Sequence, residues 1–193
     1  HSSFEEAPLM ALRALCETFP DHPDWIEWYG ASVLHSEYFQ QRGTAASAPF
    51  RLIPNSVWRR DEIDALPARS QKDSLRQFND GTRLAEGYSL RIFPIWMDNL
   101  FHGNTAVHMS ATASMASAAL LRNRLETQDL VRLQLQWVLG GNPFSQSLMY
   151  GEGYDYQPLF AYCSRDLTGA LPVGMDSRND SPYWPAENRA TFK

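Results

Sequence analysis

The strongest constraint on the fold is a long helical segment from Asn104 to Arg124 that is rich in alanine, serine and threonine. Small side chains occupy most of its faces, so neighbouring helices can approach it closely. We therefore expect this helix to lie inside the protein, between other helices. Thr127 is the predicted cap of the next helix, which ends at Gly140-Gly141 with Pro143 just beyond.

Two more helices are predicted upstream, over residues 7–19 and from Asp21 or His22 to about Arg42, because apolar residues recur at helical spacing between strong breakers. A short turn joins them, which is typical of an antiparallel helical hairpin. Cys16 falls on the apolar stripe of the first helix, so we expect a buried thiol. The second helix has an expected apolar face made of Trp25, Ile26, Tyr29, Val33 and either Tyr38 or Phe39.

The middle of the chain gives weaker signals. Short helices are expected over Arg59–Leu66 and Ser70–Phe78, and extended chain over Phe50–Trp58 and from Gly87 to Asp98. No segment alternates cleanly enough between apolar and polar residues to predict a β-strand. The pattern predicts an all-α fold, a single domain over residues 1–193, in which helical hairpins carry long aromatic-rich loops at one end.

Composition narrows the class of function. The chain has 193 residues and a net charge of −5 with no basic run, which argues against nucleic-acid binding. It contains no apolar stretch near the length of a membrane-spanning helix, so we expect no membrane partner. The two cysteines and five histidines show no metal-ligand spacing, and no phosphate or dinucleotide fingerprint occurs, so we expect neither a metal nor a cofactor.

The segment from Trp137 to Lys193 has few helical signals and many aromatic and acidic residues. Long connections of this kind are usually functional or disordered, and this one is too aromatic for disorder. Aromatic faces interleaved with carboxylates suit sugars, since the C–H faces of a sugar stack on the rings and the polar groups bind its hydroxyls. The alternative is that these aromatics simply pack the loop onto the helices.

The densest part of the segment is Gly151-Glu152-Gly153-Tyr154-Asp155-Tyr156, where glycines allow a ligand to approach the backbone closely. Glu152 and Asp155 are the candidate catalytic carboxyl groups, since glycoside hydrolysis needs two that flank the scissile bond. The alternatives are a solvated turn, or carboxylates that only bind sugar hydroxyls. The full set of predicted sugar-binding residues is Tyr150, Glu152, Tyr154, Asp155, Tyr156, Tyr183, Trp184, Trp96, Asp98 and His102.

Two motifs together resemble the late part of family 9 glycoside hydrolases. Leu139-Gly140-Gly141-Asn142-Pro143, followed by residues 147–153, is similar to that family's turn at a helix end and the glycine loop that leads into its sugar site. His102-Gly103-Asn104-Thr105-Ala106 with the alanine-rich helix is similar to the family's preceding helix. The resemblance implies an (α/α)6 toroid of six helical hairpins and a polysaccharide-degrading enzyme that hydrolyses glycosidic bonds with inversion.

The chain also departs from the family. Gln157-Pro158 and Ser164-Arg165 stand where a His-His-Arg cluster is usual, and no Asp-Ala-Gly-Asp segment occurs. The family's acid glutamate follows a segment similar to 180–192, and the sequence here ends at Lys193. The resemblance therefore implies the C-terminal part of a longer, secreted or periplasmic enzyme, with the rest of that polypeptide as a partner and no activity in this part alone.

Three other functions fit the same residues. A polysaccharide lyase would use a tyrosine or histidine base beside a neutralised uronate, and the negative net charge disfavours it. A non-catalytic carbohydrate-binding domain would use the aromatics without any chemistry. A helical protein-interaction domain would use them as a dry patch against a partner.

Overall fold

The computed structural model describes residues 6–92, 104–143, 145–156 and 168–171. Within them the α-helices are α1 (Glu6–Thr18), α2 (Trp25–Val33), α3 (Arg60–Asp64), α4 (Ala68–Asn79), α5 (Asn104–Arg122) and α6 (Leu125–Val138). A π-helical segment, Leu34–Gln41, continues α2, and a 3-10 turn, Thr44–Ser47, follows it. The strands are β1 (Pro54–Arg59), β2 (Thr82–Ala85) and β3 (Tyr88–Ile92).

Helix α5 lies at the centre of the helical part, as its small residues predict. Met115 is fully buried, Ala118 is nearly so, and a core cluster joins Met115 and Ala111 to Leu130 of α6. α1 also packs along α5, and the backbone N–H of Glu6 donates to Ser110 Oγ at 3.3 Å. The expectation that this helix is enclosed by its neighbours is therefore confirmed.

Two further predictions for the first helices are confirmed. α1 and α2 form the expected pair, and Cys16 is buried, which raises the pKa of its thiol. One cap was wrong: α6 begins at Leu125, and Thr127 lies inside it. Thr127 is buried and its hydroxyl donates to Gln41 Oε1 at 3.2 Å, so it joins α6 to the π-helical segment.

The predicted apolar face of α2 is half-buried at Trp25, Tyr29 and Val33, but the fully buried side of the helix is a different one. Ile26 is 66% exposed, whereas Ser32, Ser36 and Gln40 are buried. Residues four apart lie on the same face of a helix, so Ser32, Ser36 and Gln40 form one side of the continued helix. That side contacts α5, where Gln40 Nε2 donates to Ala111 O at 3.1 Å and to Ser114 Oγ at 2.6 Å.

The all-α prediction, and with it the (α/α)6 toroid, is wrong because the chain contains a three-stranded antiparallel sheet in the order β1-β3-β2. The segments predicted as extended do contain β1 and β3, but the sequence did not show that they pair. β1 and β3 are brought together across α3 and α4, with Val57 opposite Leu90. Every residue of β2 is exposed, so this strand has no buried face that would produce an alternation of apolar and polar residues.

The residue types at two positions suit the geometry of the sheet. Pro54, which lacks an N–H donor, is the first residue of β1, a position that strands tolerate. Gly87 has a φ of +73° in the tight turn between β2 and β3, a conformation that glycine adopts without steric penalty. The fold is therefore mixed, with a small sheet beside a helical layer.

A second core cluster lies where α6 ends. Trp137 and Val138 of α6 pack with Leu52, which precedes β1, and with Leu148, which follows α6. All four side chains are at most 5% exposed. This cluster therefore connects the helical layer to the chain segment that carries the predicted sugar-binding residues.

Candidate functional site

The end of α6 is fixed by one asparagine side chain. Asn142 is buried; its Nδ2 donates to Trp137 O at 2.9 Å and to Gln146 O at 2.7 Å, and its Oδ1 accepts from the Gln146 N–H at 3.3 Å. Gly140 precedes it with a φ of +111°. The predicted stop after α6 is confirmed, and the asparagine sets the direction in which the chain leaves the helix.

The following segment, residues 145–156, is here called the aromatic loop. Its backbone is held at several points: the Leu148 N–H donates to Val138 O at 2.8 Å, and the Ser147 N–H donates to Asp155 O at 2.8 Å. Tyr150 exchanges two backbone hydrogen bonds with residues 169 and 170, at 2.8 and 3.0 Å. With Leu148 also buried, the loop has a defined shape although it contains neither helix nor extended strand.

Two glycines make that shape possible. Gly151 and Gly153 have φ angles of +71° and +91°, which are unfavourable for residues with a side chain. A Cβ on Gly151 would lie 2.8 Å from Thr168 Oγ1, so the close packing here also requires a residue without a side chain. These contacts explain why the Gly-Glu-Gly pattern is a structural requirement of the loop.

Replacing Gly151 by Ala should therefore destabilise the protein by about 1–3 kcal/mol, through backbone strain and the clash with Thr168. Gly30→Ala is the matched control. Gly30 lies within α2 and an added Cβ would meet nothing within 4 Å, so this variant should gain about 0.5–1 kcal/mol. Urea unfolding followed by circular dichroism measures both changes, and equal stabilities of the two variants would contradict this geometry.

The three tyrosines of the aromatic loop lie in different environments. Tyr154 is fully exposed, at 106% of the reference area, and Tyr156 is 40% exposed. Tyr150 is half-buried and meets Tyr156 edge-on, with ring centroids 5.5 Å apart and an interplanar angle of 81°. Edge-to-face contact is a favoured arrangement of aromatic rings, so Tyr150 holds Tyr156 in place while Tyr154 presents an open face.

The two predicted carboxylates, Glu152 and Asp155, are both exposed on the aromatic loop. Gln146 Nε2 donates to Asp155 Oδ2 at 3.2 Å, which fixes one oxygen of that carboxylate. The sequence has no lysine, arginine or histidine between Arg132 and Arg165, so the charges of this segment are negative. Such a surface can accept hydrogen bonds from hydroxyl groups and will repel anions.

The structure brings five of the predicted residues into one loop, namely Tyr150, Glu152, Tyr154, Asp155 and Tyr156. The others, Trp96, Asp98, His102, Tyr183 and Trp184, lie outside the described residues. Sequence reasoning missed Asn142 and Gln146 as residues that organise the site. An asparagine directly after a Gly-Gly helix stop was the available signal for the first of them, because asparagine side chains commonly bond to nearby backbone groups.

Within residues 6–92, 104–143, 145–156 and 168–171, no group of three or more histidine, cysteine, aspartate or glutamate side chains is arranged to hold a metal ion. Among the helices in those ranges, none combines the length and apolarity needed to cross a bilayer.

Comparison with known proteins adds no relative. No family model, no curated protein and no solved structure matches the chain. The candidate site is therefore interpreted from its own residues and geometry.

Proposed function

We propose that the aromatic loop is a carbohydrate-binding surface and that the chain forms part of the sugar-binding cleft of a glycoside hydrolase. The observation that carries this proposal is the fully exposed ring of Tyr154 on a loop whose backbone is pinned to α6. An exposed aromatic face on a backbone that is already held in place offers a stacking surface, and less backbone entropy is lost on binding.

Polar groups beside the ring match the other half of a sugar. Glu152, Asp155 and the side chain of Gln146 lie on the same loop as Tyr154 and can exchange hydrogen bonds with hydroxyl groups. The absence of basic residues between Arg132 and Arg165 favours neutral sugars over uronates and phosphates. This combination supports a glycan ligand better than it supports a nucleic acid or an acidic polymer.

Hydrolysis requires a carboxylic acid and a second carboxyl group on opposite sides of the scissile bond. In this proposal the aromatic loop binds the substrate, and the catalytic acid and base come from the remainder of a longer polypeptide. The resemblance of residues 139–153 to family 9 glycoside hydrolases is the support for hydrolysis with inversion. Glu152 and Asp155 then act on substrate hydroxyl groups.

Tyr154→Ala should weaken binding of an oligosaccharide at least about tenfold, which corresponds to about 1.4 kcal/mol, because the stacking face is removed. Titration calorimetry against cellohexaose, xylohexaose, mannohexaose and an oligogalacturonate identifies the best ligand and measures the loss. Tyr154→Phe keeps the ring and should stay within about threefold of the wild-type affinity.

Tyr38→Ala is the control for a general effect of removing an exposed tyrosine. Tyr38 is 55% exposed in the π-helical segment, where the Arg42 guanidinium covers its ring at 4.1 Å, so binding should be unchanged. Failure of all neutral oligosaccharides to bind, or full binding by Tyr154→Ala, would reject the carbohydrate site. Hydrolysis by a polypeptide extended at both ends, with binding alone by this chain, distinguishes an enzyme from a binding domain.

A further inference from the structure

Gln146 of the aromatic loop makes a side-chain contact that could not be predicted from its position in the sequence. Gln146 is half-buried, and its side chain reaches the exposed carboxylate of Asp155, nine residues further along the chain. Gln146 Nε2 donates to Asp155 Oδ2 at 3.2 Å. The amide therefore contacts the carboxylate of the residue that directly follows Tyr154 in the loop.

The backbone of Gln146 is held on both sides before its side chain reaches out. Its N–H donates to Asn142 Oδ1 at 3.3 Å, and its carbonyl accepts from Asn142 Nδ2 at 2.7 Å. Asn142 in turn donates to Trp137 O at 2.9 Å in α6. A continuous series of hydrogen bonds thus runs from the buried end of α6 to the exposed carboxylate of Asp155.

The backbone of Asp155 is fixed as well, because its carbonyl accepts from the Ser147 N–H at 2.8 Å. An exposed aspartate on a fixed backbone still rotates about its side-chain bonds, and ordering it on binding reduces affinity. A donor that already holds Oδ2 removes that loss and leaves Oδ1 accessible from solvent. Gln146 is well suited to this task because an amide donates at every pH.

We propose that Gln146 is a positioning residue that orients Asp155 to accept a hydrogen bond from a sugar hydroxyl beside the ring stacked on Tyr154. The inference rests on the proposed function. It adds a positioning residue and specifies that the ligand donates a hydrogen bond to Asp155. The oriented carboxylate selects ligands that present a hydroxyl donor at this place. A sugar with a carboxylate there would face Asp155 without a basic residue from the same segment to offset the repulsion.

Two substitutions separate positioning from packing. Gln146→Leu removes the donor and should weaken binding of the best neutral hexaose of the panel about fivefold at every pH. Gln146→Glu places a second carboxyl group against Asp155, and such a pair retains one shared proton at a pH where an isolated carboxyl group has lost it. While that proton is present, the introduced group can still donate to Asp155.

The Gln146→Glu variant should therefore bind within about twofold of wild type near pH 4 and about tenfold more weakly near pH 7, where the two carboxylates repel each other. The measured quantity is the ratio of the two dissociation constants at each pH, which cancels any titration that both proteins share. Gln136→Glu is the charge-matched control: Gln136 is exposed on α6, and its ratio should stay near one throughout.

The outcomes are distinguishable. Loss of binding in Tyr154→Ala together with a ratio for Gln146→Glu that rises from pH 4 to pH 7 supports both proposals. Loss of binding in Tyr154→Ala with wild-type affinity in both Gln146 variants overturns the positioning role and leaves the carbohydrate site intact. A ratio for Gln146→Glu that is raised equally at all pH values indicates packing alone and also overturns the positioning role. Absence of sugar binding by the wild type overturns both proposals.

Discussion

Gln134→Glu should lower the free energy of unfolding by about 3–5 kcal/mol, a large fraction of the stability of a domain of this size. Gln134 is completely buried in α6 and uses both ends of its amide. Its Oε1 accepts from the Ile53 N–H at 3.0 Å, while its Nε2 donates to Arg51 O and Leu130 O at 2.9 Å each. A glutamate has nearly the same shape but places an oxygen against those two carbonyl oxygens.

The introduced group must either carry a buried charge facing two acceptors or remain protonated and donate to one of them. Both states leave buried polar groups unsatisfied, which is the physical origin of the large effect. The folded protein raises the pKa of such a carboxyl group above its unfolded value, so the destabilisation should shrink as the pH falls towards 4. Urea unfolding at pH 7 and pH 5 measures both the size and the sign.

Gln136→Glu is the matched control for this prediction, because it makes the same chemical change two residues along α6 at an exposed position. Its effect should lie within about 0.5 kcal/mol. Comparable losses in the two variants would mean that the added negative charge, and not the hydrogen bonds to Arg51 and Ile53, determines the result. A loss below 1 kcal/mol in Gln134→Glu would contradict the buried contacts themselves.

The contacts of Gln134 are an example of a structural feature that could not be predicted from the sequence. The boundaries of α1 and α5 and the end of α6 were accessible, because each helix has regular apolar or small-residue spacing and is bounded by Pro, Gly or capping signals. The partner of a buried glutamine was not, since Gln134 and Ile53 are 81 residues apart and neither residue type indicates the other. The pairing of β1 with β3 was unpredictable for the same reason, because the two strands are distant in the sequence. The all-α prediction was wrong because it missed this pairing.

The burial of α2 failed for a different reason. Its aromatic and aliphatic residues looked like the core face, yet Ser32, Ser36 and Gln40 are the buried positions. Gln40 Nε2 donates to Ala111 O and Ser114 Oγ of α5, and Ser36 Oγ donates to Ser32 O within the same helix. Apolar spacing assumes an apolar partner, so it gives the wrong face when the neighbouring helix offers serine and backbone oxygen atoms.

For the candidate site, the sequence singled out the aromatic loop but did not show how the loop is held. Aromatic and acidic residues between glycines were visible in the pattern, and the structure places five of them on the aromatic loop. The roles of Asn142 and Gln146 depend on hydrogen bonds to backbone atoms and to Asp155, which residue identity alone does not reveal. The sugar-binding proposal depends on this local geometry and does not need the toroid.

Acidification should destabilise the protein through His108, a buried histidine of α5 that lies behind the aromatic loop. Only 2% of it is exposed, and its ring meets Trp137 edge-on with centroids 6.4 Å apart. Burial lowers the pKa of His108 to about 4, because a charged imidazolium would lose its hydration. The folded state therefore keeps His108 neutral at pH values where the unfolded chain, with a pKa near 6.5, already binds a proton.

The sign follows from linkage: the stability contributed by His108 is present above pH 6.5 and is lost as the pH falls from about 6.5 to about 4. A difference of about 2.5 pKa units corresponds to about 3 kcal/mol over that range. His108→Gln removes the titrating group, so its unfolding free energy should fall about 3 kcal/mol less than that of the wild type between pH 7 and pH 4.

His22→Gln controls for the general effect of replacing a histidine, because the His22 side chain is 43% exposed and lies outside the core. Parallel profiles of wild type and His108→Gln would contradict a neutral, buried imidazole. Since Trp137 packs with Leu148 and its carbonyl binds Asn142, protonation of His108 acts on the same support that holds the aromatic loop. A loss of about 3 kcal/mol still leaves a domain of ordinary stability folded near pH 4, so sugar binding should remain measurable there in both proteins.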